Sequence, residues 1–201
     1  MISEKDALVA VQYKGCAYVR AGMFCEMLQM LRPLRAIIAL LIIPLMTLQS
    51  GLAWEVVNFS SPASAPPGTI VINAPQRKLY FVLDDRAAVR YPIAIPKKGR
   101  EWSGSATVNG KFVNPDWVPP PCVKSDHPEL PDFIPGGAPN NPMGARAITL
   151  DRFQVAIHGT TKKMRRSIGT AASYGCIRML NEDVVDLFNR ISIGTPVLMI
   201  R

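Results

Sequence analysis

The chain is poor in the side chains that bind transition metals or titrate near neutral pH. Its 201 residues include two histidines and four cysteines, and none of them stands at CxxC or HxxxH spacing. That excludes the common zinc frameworks, and no metal is expected. A bilayer-spanning run is missing too. The N-terminal apolar stretch Ala36 to Leu48 counts 13 residues and is interrupted by Pro44, whereas a spanning helix needs about 20. Acidic side chains are outnumbered, 15 against 23 Lys and Arg, for a net charge of +8. Such a surplus favours an anionic surface or polymer as partner. Nucleic acid fits poorly, because the basic run Lys162, Lys163, Arg165 and Arg166 has no interleaved aromatics. That run reads as a solvated loop, with steering of an anionic substrate as the alternative.

What the N-terminus does hold is an export signal. Met30-Leu31-Arg32-Pro33-Leu34-Arg35 is short and basic, the apolar stretch follows, and Gly51-Leu52-Ala53 supplies the small residues a signal peptidase reads. Cleavage is expected after Ala53, with no permanent membrane span. Residues 1–29 precede a signal that is already complete, with Met23, Met27 and Met30 as later starts, and read as a mis-assigned extension. No cysteine follows the apolar run, so lipid modification has no support. Removing residues 1–53 leaves 148 residues with 18 basic and 12 acidic side chains, enough for one domain with a genuine core. Only Cys122 and Cys176 then remain, in an oxidising compartment where a disulfide between them is conceivable and is left open by the sequence.

The remainder reads as mostly β. Residues 54–68 are polar and proline-bearing and are expected to be a linker, so that the folded domain spans 69–201. Thr69–Asn73 is the first strand. Lys78–Leu83 and Ala88–Ile95 flank Asp84-Asp85 as a hairpin, and Ala106–Val113, around Asn109-Gly110, suggests a strand pair or meander. Residues 114–144 are rich in Pro, Gly and Asn, more than a mere connection needs, and read as a functional loop or lid. Ala147–Leu150 and Gln154–Ile157 return to strand, the second delivering His158. One helix follows: Asn181 is expected to cap it, Glu182 and Asp183 suit its first turn, and Val184, Val185, Leu187, Phe188 and Ile191 form a core stripe. Pro196–Ile200 closes the chain as a strand.

His158-Gly159-Thr160 and Ser173-Tyr174-Gly175-Cys176-Ile177-Arg178 carry the chemistry. A thiol with a reference pKa of about 8.5 is a weak nucleophile at neutral pH unless an imidazole lies within reach. His158 is the candidate base for Cys176, whereas His127 sits in the proline-rich Asp126-His127-Pro128-Glu129 without a comparable setting. Most lone cysteines are inert core residues. Here Gly175 suits a tight turn presenting bare backbone N–H groups, and Arg178 supplies a cation for an anionic substrate.

These segments, together with Asn73, Arg77-Lys78-Leu79-Tyr80, Tyr91-Pro92-Ile93-Ala94, Asn114-Pro115-Asp116-Trp117, Asn141-Pro142-Met143-Gly144, Asn181, Asp183 and Gly194-Thr195-Pro196-Val197, resemble the exported, proteobacterial-type L,D-transpeptidases, the YkuD family. The resemblance covers residues 69–201 and implies a mostly β, YkuD-like β-sandwich catalytic domain with one helix after the cysteine turn. It implies a periplasmic, cofactor-free enzyme acting on peptidoglycan. Cys176 would attack the diaminopimelate carbonyl of a tetrapeptide stem and expel D-alanine. An amine from a second stem, or from an envelope protein, would then resolve the acyl-enzyme. By position, the resemblance makes Cys176 the nucleophile, His158 the base and the Gly159 carbonyl the group orienting the imidazole. It makes the backbone N–H groups of Tyr174, Gly175 and Cys176 the oxyanion donors, and Arg178, Thr160 and Ser173 the substrate contacts. The chain departs from the family pattern at Tyr174, where histidine is common, and at Ser103-Gly104-Ser105-Ala106-Thr107, where a Thr-Pro-x-Gly turn is common. The rival readings are a hydrolase on the same scaffold, with water as acceptor, and a non-catalytic peptidoglycan-binding module.

Overall fold

A computed structural model describes residues 54–62 and 65–201. The leader expected over 1–53, with its signal and cleavage site, lies outside the described residues. Apolar and polar positions alternate along segments such as 104–110, and a period of two makes strands rather than helices. The strands are β1 (Glu55–Asn58), β2 (Ile70–Asn73), β3 (Lys78–Val82), β4 (Ala87–Pro96), β5 (Gly104–Val113), β6 (Arg146–Leu150), β7 (Ala156–His158), β8 (Ala171–Ser173), β9 (Ile177–Met179) and β10 (Pro196–Ile200). Two helices accompany them, α1 (Pro121–Asp126) and α2 (Asn181–Arg190), with a one-turn 3₁₀ helix over Met164–Ser167.

The sheet folds back on itself. Its strands run β1-β4-β3-β2-β10-β5-β6-β7-β9, and β9 pairs again with β4, closing a circuit. The two ten-residue strands make closure possible because each serves both layers. The first part of β4 pairs with β3 and β1, while Ile93 and Ala94 pair with Met179 and Arg178 of β9. Likewise β5 pairs with β10 over Gly104–Thr107 and then with β6. Between the layers lies a core containing Ile70, Ile72, Leu79, Tyr91, Ile93, Ile148, Ile157, Ile177 and Met179, all fully buried. Val184, Leu187 and Ile191 of the α2 segment join it. Each such side chain contributes about 1.5–3 kcal/mol.

Four sequence expectations need adjustment. The stretch 54–68 is not merely a linker: it carries β1, paired to β4, and Ala65 is buried with Val71, Tyr80, Val82 and Ala88 while Phe59 stacks on Tyr80 at 4.5 Å. The 106–113 region is one strand, not a pair, because Asn109-Gly110 forms a bulge where the register with β6 shifts. A Cβ on Gly110 would stand 2.5 Å from Thr149 Oγ1, so close strand approach requires glycine there. The 114–144 loop contains α1, which starts at Pro121 where the missing N–H costs nothing. Finally, Leu180 and not Asn181 is the N-cap of α2, because the Asn181 carboxamide is engaged elsewhere. Among the described residues no helix is long and apolar enough to cross a membrane.

Candidate active site

Two short parallel strands set the site. Strands β7 and β9 pair with Ile157 opposite Ile177 and His158 opposite Arg178. Ile157 and Ile177 point into the core, so alternation turns His158 and Arg178 to the other face. Cys176, two residues before Arg178, follows on that same face. His158, Cys176 and Arg178 accordingly line one large cleft of about 1330 Å³. The 114–144 loop and the Thr161–Ser167 segment form much of its rim.

The histidine is fixed before any ligand arrives. Its Nδ1 lies 2.8 Å from the Gly159 carbonyl, which only a protonated nitrogen can satisfy, so in the neutral ring Nε2 holds the free lone pair. Burial, reinforced by the Arg178 charge, lowers the imidazole pKa to about 4. At neutral pH the ring is an uncharged proton acceptor. Burial also pushes the Cys176 thiol upward, and Arg178 only partly opposes that. The resting state is therefore neutral thiol plus neutral imidazole. The thiol contacts the Gln154 carbonyl at 3.6 Å, presented by a residue with a φ of 55°, an uncommon conformation for a non-glycine residue.

The turn ahead of Cys176 is tightly tied. Gly175 has a φ of 138°, outside the range that side chains favour. Its carbonyl accepts a hydrogen bond from the buried Trp102 indole at 3.0 Å. Ser173 Oγ donates to the Cys176 carbonyl and accepts from the Gly175 N–H at 3.3 Å. Ser173 thus holds the turn, and of the three amides expected to face an oxyanion that of Gly175 is already engaged. Arg178 donates to Ser167 Oγ at 2.7 Å, while its buried Nε has no partner.

Thr160 is placed differently from the expectation. It is 1% exposed and not part of the cleft wall, which Thr161 lines instead. Its backbone is gripped by Asn181: Oδ1 accepts from the Thr160 N–H at 3.0 Å and from the Ala145 N–H at 3.1 Å, and Nδ2 donates to the Thr160 carbonyl at 2.9 Å. A Cβ on Gly144 or Gly159 would come within 2.3 Å or 2.2 Å of that oxygen, so both glycines make room for Asn181. Beside the cysteine turn, Tyr174 donates from its hydroxyl to Asp126 at 2.7 Å, Lys97 pairs with Asp126 at 3.3 Å, and the Lys97 ammonium lies 3.6 Å from the Tyr174 ring centroid. His127, discounted in the sequence, stands edge-on to Tyr174 at 6.4 Å. Cys122 and Cys176 are both free thiols and both line the cleft.

A closed β fold that puts a thiol and a neutral imidazole on one cleft wall is equipped for acyl transfer through a thioester. The L,D-transpeptidase catalytic domain model, YkuD, matches residues 67–199, and the chain belongs to that family. It is 38% identical over 138 residues to the probable L,D-transpeptidase ErfK/SrfK of Escherichia coli, covering 65% of this chain and 43% of that protein. It is 34% identical over 136 residues to the putative L,D-transpeptidase YqjB of Bacillus subtilis, covering 65% and 69% respectively. The first of these relatives is more than twice as long as the segment it shares with this chain. Among solved structures, an L,D-transpeptidase from Mycobacterium smegmatis superposes with a TM-score of 0.53 at 16% identity, covering 66% of this chain and 58% of that one. That likeness supports the fold.

Proposed function

We propose that this domain is an exported, periplasmic peptidoglycan L,D-transpeptidase. The observation that supports it most is the buried His158–Gly159 hydrogen bond on the strand beside Cys176, because it leaves Nε2 unprotonated in a residue that lines the same cleft as the thiol. The Cys176 thiol gives its proton to His158 as sulfur attacks the diaminopimelate carbonyl of a tetrapeptide stem. The oxyanion is held by the Tyr174 and Cys176 amides, and by that of Gly175 once it leaves Ser173. Collapse breaks the bond to D-alanine, whose amine takes the proton from His158 as it departs. An amine then attacks the thioester, loses its proton to His158 and restores the thiol, forming a 3-3 cross-link or a protein attachment. Preorganised oxyanion donors of this kind are each worth about 10²- to 10³-fold in rate. Arg178 meets a substrate carboxylate from the cleft floor.

The test is mass spectrometry of products from disaccharide-tetrapeptide muropeptides. Cross-linked dimers lacking one D-alanine are expected. Tripeptide monomers alone would replace the transpeptidase with a hydrolase, and an intact substrate with no mass adduct on Cys176 after carbapenem treatment would leave a binding module.

A further inference from the structure

The cleft carries cations that the acyl-transfer steps do not use. Arg100, Lys162, Lys163 and Arg166 all line it, together with Arg178, against a single carboxylate, that of Glu129. Glu129 is itself within 3.3 Å of His127. None of the four makes an ion pair among the described residues, although their neighbours do: Lys97 is matched by Asp126, Lys124 by Asp132 and Arg165 by Glu182. The pairing of Arg165 turns one cation of the 162–166 run outward to α2 and leaves the other three at the cleft. The segment is also held in place. The Thr161 hydroxyl accepts from the Met164 N–H at 3.1 Å, and the 3₁₀ turn ends at Ser167, whose hydroxyl accepts from Arg178 at 2.7 Å. The side chains of Lys162, Lys163 and Arg166 are exposed, but the segment that carries them is pinned at Thr161 and at Ser167.

Unpaired charges of one sign on the wall of a concave site focus the potential there and select for ligands of the opposite sign. We infer that Lys162, Lys163 and Arg166, with Arg100 across the cleft, form a carboxylate-reading subsite that makes the enzyme selective for stem peptides whose non-reacting carboxyl groups are free over stems in which they are carboxamides. This rests on the proposed peptidoglycan substrate but concerns a different property, recognition away from the reacting carbonyl. Exposed ion pairs are individually weak, each about a few-fold, so three together give roughly a tenfold preference. Screening makes that preference salt-sensitive, since the Debye length contracts from about 10 Å at 0.1 M to about 3 Å at 1 M salt.

Binding separates this inference from catalysis. Titration calorimetry on the full chain carrying Cys176→Ala would compare a free-acid tetrapeptide with its side-carboxamide counterpart, before and after adding Lys162→Gln, Lys163→Gln and Arg166→Gln together. The expected result is roughly tenfold tighter binding of the free acid, shrinking at high salt and cut to about a few-fold or less in the triple variant, which keeps Arg100 and Arg178 and whose circular dichroism and melting stay unchanged. Equal affinity for both peptides, or a preference that neutralisation leaves at full strength, overturns the subsite. A wild-type chain that binds selectively yet turns over neither peptide would sink the transpeptidase reading and leave the subsite standing. Turnover of both peptides with equal kcat/KM would do the reverse.

Discussion

The two walls of the cleft are held by different forces. On one side, His158, Cys176 and Arg178 stand in or beside strands whose register with each other and with β4 and β6 is fixed by backbone hydrogen bonds over a dry core. On the other, α1 and its flanking loop have no buried residue in the helix and reach the cysteine turn through Tyr174, Asp126 and Lys97 at the surface. Backbone register allows little adjustment, while exposed side-chain contacts are worth about 1 kcal/mol or less. The residues proposed to carry the chemistry therefore sit on the wall that cannot shift, and access is left to the wall that can.

The largest break in this comparison comes from Cys176→Ala. Turnover of muropeptides should vanish while the melting curve barely moves, since the side chain lies beyond the core. Residual product by mass spectrometry would remove Cys176 as nucleophile.

Asn181→Leu attacks the anchoring of the fixed wall itself. Three hydrogen bonds to Ala145 and Thr160 are lost and buried backbone groups are stranded, at a cost of about 2–4 kcal/mol in urea unfolding, with a parallel fall in activity. A change below 0.5 kcal/mol on the order-of-magnitude scale of one such bond would show the clamp to be dispensable.

Asp183, fully buried behind the same wall with neither carboxylate oxygen paired, has its pKa raised to about 7, first by burial and then by Glu182 and Asp186. Between about pH 4 and 7 the folded state holds a proton that the unfolded state has released, so stability is lost as pH rises through that window. His158 has the opposite sign: its pKa is lowered, the unfolded state binds the proton first, and stability is lost as pH falls from 6.5 toward 4. Asp183→Asn should flatten the first trend and leave the second intact. Thermal melts from pH 4 to 8 decide this, and parallel curves for both proteins would contradict it.

Tyr174→Phe touches the adjustable wall and should be the mildest, below about 1 kcal/mol. Hydrogen exchange across residues 121–126 should accelerate and iodoacetamide should reach Cys176 faster. Identical exchange would mean the Tyr174–Asp126 bond does not hold α1 in place.

The same division governs what the sequence disclosed. The β3–β4 hairpin, β10 and most of the α2 stripe were legible because periodic segments report their own burial, although Val185 stays outside the core. His158 and Cys176, singled out by their glycine-flanked chemistry, come together on one cleft. Strands β8 and β9, three residues each, were not, since so short a run has no measurable period and its pairing with β4 is set by tertiary contact. Asn109-Gly110 misled because the dipeptide that closes hairpins also suits a bulge. Asn181 was read locally as a cap when its partners lie 21 and 36 residues away. Trp102, Gln154 and Asp126 gave no local signal at all.

The indole of Trp102 is sealed against the peptide that precedes the thiol, with Arg152 stacked over its ring at 4.7 Å. The fold thus places an indole one peptide away from Cys176, and the arrival and departure of an acyl group there should change tryptophan emission in the wild-type chain and leave it unchanged in Trp102→Phe, which separates this indole from that of Trp117 in the same cleft.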